Sequence, residues 1–182
     1  EVPDAPMMFI KPNTSVVGPG DAIMLPRQSE HVSFEGELAV IIGSIAKNVA
    51  EADVDSVVFG YTIANDVTAR DLQKKDGQWA RAKGFDTFCP LGPVIETEFA
   101  VGSQSIRSTV NGDLKQDGTL DQMIHSVAAL VAYASAAFTL LPGDIILTGT
   151  PAGVGPIVNG DTVDITIEGI GTLSNPVRSI AT

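Results

Sequence analysis

Turn-forming residues divide this chain into short segments, and that spacing constrains its fold more than any other feature. The sequence holds 18 glycines and 11 prolines. Pro-Gly-Asp or Asn-Gly-Asp triplets, which favour tight turns beside strands, stand at 19–21, 111–113, 142–144 and 159–161. The apolar or alternating runs around such turns predict strands at 22–25, 34–42, 57–66, 106–110, 145–148, 162–168 and 171–177. The pattern therefore predicts a fold that is mainly β.

Helix signals are few. Short helices are predicted at 51–56 and 70–76, and a long one at 120–140, which follows Gly118-Thr119 and stops before Pro142. Strands and helices do not alternate regularly, so a doubly wound parallel sheet is disfavoured. A length of 182 residues fits a single domain, which we predict over residues 1–182. Because the sequence opens at Glu1 without an initiator Met, we expect that a preceding segment of the full-length protein is missing.

Charge excludes two classes of partner. The chain has 22 acidic and 11 basic side chains, a net charge of −11, which makes nucleic acids and anionic membrane surfaces poor partners. The uncharged stretch 124–141 is nearly long enough to span a membrane. It is rich in Ala and Ser and lacks Lys or Arg flanks, so we interpret it as part of a soluble core. A single cysteine, Cys89, permits no internal disulfide and favours a reducing, cytoplasmic location.

Three acidic residues occur where strands could bring them together. Glu35 and Glu37 are two residues apart in a predicted strand, so their side chains point to the same face. Asp66 directly follows the apolar run 57–64 and Asn65, where a buried carboxylate needs a cation or a proton. Carboxylates without cysteine or paired histidine form a hard oxygen site, which suits Mg²⁺ or Mn²⁺ better than Ca²⁺. Spacing alone leaves an alternative open, in which both glutamates are solvated on an edge strand.

Four longer motifs carry a resemblance to a known family. FEGEL at 34–38, GYTIANDVTARD at 60–71, QWARAKGFD at 78–86 and GDIILTGTPAGVG at 143–155 resemble the signature blocks of the fumarylacetoacetate hydrolase family. They stand in the family's order and cover nearly the whole chain. The resemblance implies a mixed β-sandwich roll of the family's C-terminal domain type and a homodimer.

Carried over residue by residue, the resemblance also implies a site. It makes Glu35, Glu37 and Asp66 the ligands of Mg²⁺ or Mn²⁺. It places four residues around a small 2-oxo acid substrate, with the first three in catalytic roles: Lys83, Arg70, Gln73 and Thr150. Basic residues are scarce in this chain but cluster between 70 and 83, which agrees with an anionic substrate. His31 and His125 are interpreted as an exposed loop residue and a helix boundary residue.

The expected reaction is cleavage of a C–C bond, namely decarboxylation of an oxaloacetate-like 2-oxo dicarboxylate to pyruvate. Three alternatives stay open: isomerisation or decarboxylation of 2-hydroxyhepta-2,4-diene-1,7-dioate-type compounds in aromatic catabolism, hydrolysis of an acylpyruvate, and a domain that binds a divalent metal without catalysis. The sequence shows no convincing copy of the His/Glu pair with which hydrolytic and decarboxylating members handle water or protons. The resemblance therefore supports the site more firmly than the reaction.

Overall fold

A computed structural model describes residues 5–180. Thirteen strands run along these residues in the order β1 Val16–Val17, β2 Ile23–Leu25, β3 Val32–Phe34, β4 Gly36–Ile42, β5 Val58–Asn65, β6 Thr68–Ala69, β7 Cys89–Glu96, β8 Ser105–Val110, β9 Asp113–Thr119, β10 Ile145–Leu147, β11 Gly155–Pro156, β12 Thr162–Ile167 and β13 Gly171–Ser179. The α-helices are α1 Arg70–Asp76, α2 Ala80–Lys83 and α3 Val127–Ala137, and 3₁₀ turns lie at Asn13–Ser15, Glu51–Ser56 and Leu120–Gln122. The mainly β class predicted from the turn spacing is confirmed.

The strands form three sheets, of which the two larger ones mix parallel and antiparallel pairs and the smallest is antiparallel. Two have five strands, in the orders β1-β7-β5-β4-β10 and β2-β13-β12-β8-β9, and a three-stranded sheet has the order β11-β3-β6. Side chains of all three sheets join one hydrophobic cluster, in which Phe34, Phe88 and Ile165 are almost fully buried. The curled, mixed sheets agree with the roll that the resemblance implied.

The hairpin between β8 and β9 shows how the turn residues act. Asn111 and Gly112 both adopt positive φ angles, 54° and 84°. Glycine accepts this backbone region without strain and asparagine tolerates it, so an Asn-Gly pair suits a two-residue hairpin turn.

The long helix predicted at 120–140 is wrong. The structure has a 3₁₀ turn at Leu120–Gln122, an extended residue at Met123, and then α3 from Val127. Thr119 and Gln122 form a capping box around the short turn, and the Ser126 side chain accepts a hydrogen bond from Ala129 N and caps α3. Two local capping motifs therefore divide a stretch that contains no glycine or proline and so suggests one helix. Within residues 5–180, no helix is both long enough and apolar enough to cross a membrane.

The pairing of β4 with β5 positions the acidic residues. The two strands are antiparallel with Gly36 opposite Asn65, so the start of one lies beside the end of the other. β4 has β5 and β10 as its neighbours, which makes it an interior strand. Every residue of β4 is buried, so the alternative of glutamates on a solvated edge strand is wrong.

Candidate active site

Glu35, Glu37 and Asp66 meet at one buried point. Each offers a carboxylate oxygen, and the three oxygens lie within 4.8 Å of one another. The side chains belong to residues that are only 7%, 4% and 2% exposed. The backbone fixes this meeting, because Asp66 N donates to Glu35 O at 2.9 Å and Glu35 N donates to the Asn65 side chain at 3.0 Å.

Basic side chains surround two of the three carboxylates. The Lys83 ammonium lies 2.9 Å from Glu35 Oε2 and 2.5 Å from Asp66 Oδ2. Lys11 Nζ lies 2.6 Å from Asp66 Oδ1 and also donates to the Lys83 carbonyl oxygen. Arg70 pairs with Glu35 Oε1. These contacts balance the charges of Glu35 and Asp66.

Glu37 is the carboxylate that lacks such compensation. Within residues 5–180 it forms no ion pair, and Glu37 Oε2 accepts a hydrogen bond from Gly149 N at 2.7 Å. Burial raises the pKa of Glu37 well above its ordinary value, and the negative charges of Asp66 and Glu35 raise it further. A divalent cation at the shared centre would supply the missing positive charge. Three hard oxygen donors fit Mg²⁺ or Mn²⁺, with remaining positions for water or substrate oxygens.

A cavity of about 630 Å³ opens onto this centre. One wall comes from the N-terminal segment, where Phe9 packs on Trp79 with ring centroids 5.6 Å apart and lies 4.8 Å from Lys83 Nζ. The other wall is the 147–152 segment, which follows β10. The cavity therefore combines an apolar rim with a charged floor, as small-molecule sites do.

A second cavity, of about 680 Å³, lies beyond Leu120 and Met123, which border both spaces. Its lining includes Phe59, Phe99 and Asp121 but no lysine, arginine or histidine among the described residues. Without a basic group it offers nothing to hold an anionic substrate, so the chemistry is assigned to the smaller cavity.

All seven site residues expected from the resemblance line the smaller cavity: Glu35, Glu37, Asp66, Arg70, Gln73, Lys83 and Thr150. α1 carries two of them, with Arg70 Nη1 donating to Gln73 Oε1 at 3.1 Å. Lys83 is the last residue of α2 and is 3% exposed. Thr150 Oγ1 donates to Gly36 O at 2.8 Å, which joins the 147–152 segment to β4. Their individual roles in binding and catalysis stay predictions.

Sequence reasoning missed several residues of the site. Lys11, which pairs with Asp66, and Phe9, which lines the cavity, lie in a segment with no periodicity, so nothing in the local sequence assigns them to the site. His125 was interpreted as a helix boundary residue. It precedes the Ser126 cap of α3, but it also lines the cavity, and its buried Nε2 has no hydrogen-bond partner within residues 5–180. His31 is exposed, as expected.

Comparisons with known proteins agree with this fold. The family model described as fumarylacetoacetate (FAA) hydrolase C-terminal matches residues 1–178. A solved structure of a 2-hydroxyhepta-2,4-diene-1,7-dioate isomerase from Mycobacterium marinum is 57% identical, has a TM-score of 0.97, and is matched over 99% of this chain and 71% of its own. A mitochondrial oxaloacetate tautomerase of Xenopus laevis is 47% identical over 188 aligned positions, which cover 97% of this chain and 59% of the relative.

A third relative is the solved structure of a 5-carboxymethyl-2-hydroxymuconate delta-isomerase from Mycobacterium smegmatis. It is 52% identical with a TM-score of 0.97, over all of this chain and 72% of that one. The chain belongs to the fumarylacetoacetate hydrolase family.

Proposed function

We propose that this protein is an enzyme that acts on small 2-oxo dicarboxylates through their enol or enolate form, with Mg²⁺ or Mn²⁺ as cofactor. One observation carries the proposal: three buried carboxylates share a centre with the Lys83 ammonium at the floor of a cavity. The names of the similar proteins support it, because an oxaloacetate tautomerase and two isomerases of unsaturated hydroxy acids all interconvert such forms.

The charges of the cavity favour a dianionic substrate. Three carboxylates face three basic side chains, from Lys11, Arg70 and Lys83. A divalent ion therefore leaves two positive charges at this largely buried site, and a dicarboxylate balances both. Burial makes this balance matter, since unpaired charges in a low dielectric are costly.

The residues of the cavity have distinct tasks in this proposal. When bound, the divalent ion acts as a Lewis acid toward the substrate's 2-oxo oxygen. Lys83 holds a positive charge beside the position where negative charge develops and can give a proton to the same oxygen. Arg70, oriented by Gln73, binds a substrate carboxylate through charge-assisted hydrogen bonds. Phe9 and Trp79 exclude water from the reacting atoms.

Two reactions share this chemistry. In keto–enol interconversion, a proton moves between C3 and the 2-oxo oxygen. In decarboxylation, the C3–C4 bond breaks and its electrons flow into the same carbonyl. The relatives' names favour interconversion as the first reaction, and decarboxylation, the reaction expected from the sequence, is the second candidate. Neither reaction requires an activated water, and within residues 5–180 no His–carboxylate pair lines the cavity to activate one.

The test starts from the enol form of oxaloacetate. Ultraviolet absorbance follows loss of the enol, and proton NMR follows pyruvate, each with Mg²⁺, with Mn²⁺ and with a chelator. A metal-dependent loss of enol without pyruvate supports a tautomerase, and metal-dependent pyruvate above the protein-free rate supports a decarboxylase. If the protein shows metal-dependent activity on 2-hydroxyhepta-2,4-diene-1,7-dioate and none on oxaloacetate, its substrate belongs to the diene dioates. Turnover that chelation does not affect would overturn the proposal.

A homodimer is part of the same proposal and rests on the family resemblance. Light scattering on the purified protein measures it directly. We expect twice the chain mass of 19.0 kDa. The mass of a single chain at micromolar concentration would contradict the homodimer.

A further inference from the structure

Gln116 is a buried polar residue on a mostly exposed strand. It lies in β9, where residues 113–115 and 117 are exposed, yet it is 0% exposed itself. A fully buried amide needs hydrogen bonds for both its oxygen and its nitrogen. Gln116 has four such bonds, and they join the strand that carries Glu37 to the 147–152 segment of the candidate active site.

The amide oxygen accepts hydrogen bonds from β4 and β8. Gln116 Oε1 accepts from Gly36 N at 3.0 Å and from Ser108 Oγ at 2.7 Å. Gly36 lies between Glu35 and Glu37, so this bond holds the backbone that carries two of the three carboxylates. The side chains of Ser108 and Gln116 pack closely against the Gly36 backbone, because a Cβ at Gly36 would clash with the Ser108 hydroxyl and lie 3.1 Å from Gln116 Oε1.

The amide nitrogen donates hydrogen bonds to the 147–152 segment. Gln116 Nε2 donates to Thr150 Oγ1 at 2.8 Å and to Pro151 O at 2.8 Å. The orientation of the amide is fixed by its backbone partners, since Gly36 N–H can only donate and Pro151 O can only accept. Thr150 Oγ1 must therefore accept from Gln116, and its own proton goes to Gly36 O at 2.8 Å.

These bonds close a ring through Gly36, Gln116 and Thr150. The ring joins the strand with Glu35 and Glu37 to the segment whose Gly149 N–H binds Glu37. We propose that Gln116 is a positioning residue, which fixes the spacing between Glu35, Glu37 and the 149–151 segment and sets the direction of the Thr150 hydroxyl. The inference rests on the proposed function only where metal binding is its readout.

The test uses two variants that differ in how many of the four bonds they remove. Gln116→Met keeps the length of the side chain and removes all four bonds. Gln116→Glu keeps an acceptor for Gly36 and Ser108 and removes the donor to Thr150 and Pro151. The matched control is Asn175→Leu, because Asn175 is a buried amide, 1% exposed, that donates to Gly18 O and Asp21 O away from the cavity.

Amide hydrogen exchange in the presence of chelator measures positioning without metal or substrate. We expect Gln116→Met to speed exchange at Gly36 and across 149–155, and Gln116→Glu to speed it at 149–155 with less effect at Gly36. Asn175→Leu should leave both segments at the wild-type rate. If Gln116→Met fails to fold, Gln116→Glu and Thr150→Val, which breaks the same ring, carry the measurement.

Calorimetry with Mn²⁺ gives the second readout. Loss of a residue that orients metal ligands typically costs about 10–100-fold in metal affinity, and we expect that range for Gln116→Met and no change for Asn175→Leu. Wild-type exchange at 149–155 in both Gln116 variants, with unchanged Mn²⁺ affinity, would overturn the inference. If the wild-type protein binds Mn²⁺ but converts no 2-oxo acid, the proposed function is wrong, while hydrogen exchange and Mn²⁺ affinity still test the role of Gln116. If it binds no Mn²⁺, the exchange rates alone decide.

Discussion

Replacement of Lys83 by methionine tests the electrostatics of the site most sharply. Lys83 is 3% exposed and touches Glu35 and Asp66 at 2.9 and 2.5 Å. Methionine matches the length of the side chain without its charge. Removal of the ammonium leaves three buried carboxylates with, among residues 5–180, only Lys11 and Arg70 in ion pairs with them.

The expected cost follows from the burial of these groups. Breaking a buried ion pair by removing one partner typically destabilises a protein by about 3–5 kcal/mol. For a domain of this size each kcal/mol corresponds to a change of about 2–4 °C in Tm, so Lys83→Met should melt roughly 6–20 °C below the wild type in chelator. Mg²⁺ should recover much of this loss, because a divalent ion restores positive charge at the same carboxylates.

The assay is thermal and urea denaturation of both proteins, in chelator and in millimolar Mg²⁺, with turnover measured in parallel. Lys74→Met is the control, because Lys74 is an exposed residue of α1 and its loss should change stability by less than about 0.5 kcal/mol. Turnover by Lys83→Met should fall to background while Mn²⁺ still binds. A variant as stable as the Lys74→Met control in chelator, or with wild-type turnover, would refute the role given to Lys83.

Three further outcomes are expected from single groups. Glu37→Gln should raise Tm in chelator and abolish stabilisation by Mg²⁺. Because the pKa of Glu37 is raised, the native state holds a proton that the unfolded chain loses above about pH 4.5. The stability of the wild type should therefore fall relative to this variant as pH rises. A difference in Tm between the wild type and Glu37→Gln that is the same at pH 5 and pH 8 would contradict this prediction. Burial raises the pKa of the Cys89 thiol to about 11, so a thiol reagent at pH 8 should label the native protein far more slowly than the urea-unfolded protein, and equal rates would be inconsistent with a buried thiol. Thr62→Val should stabilise the protein by roughly 1 kcal/mol in urea denaturation, because Thr62 Oγ1 is buried without a hydrogen-bond partner in the described part of the chain, and a loss of stability would show that the hydroxyl is satisfied.

The parts of the fold that could be predicted depend on local patterns. Strand alternation and turn triplets locate β4, β5, β12 and β13 to within a few residues. The bounds of α1 agree with the predicted helix at 70–76. Other elements lack such a signal. β7 contains two prolines and a glycine, residues that are depleted in strands, and it forms only because β5 and β1 pair with it.

The site residues likewise fall into those that a local sequence pattern predicts and those that it does not. Glu35 and Glu37 follow from strand periodicity, and Asp66 follows from its place after an apolar strand. Lys11 reaches Asp66 across 55 positions of the chain, and Gln116 reaches Gly36 across 80. Contacts over such separations are set by how the sheets pack, so no local pattern predicts them.

Anomalous diffraction from crystals grown with Mn²⁺ and oxalate, a mimic of the enolate of pyruvate, tests the central claim most directly. We expect a single strong anomalous peak at bonding distance from carboxylate oxygens of Glu35, Glu37 and Asp66, with oxalate bound to the same ion and within hydrogen-bonding distance of Lys83. A map with no peak at these three residues, or with manganese bound elsewhere and oxalate outside the cavity, would contradict it.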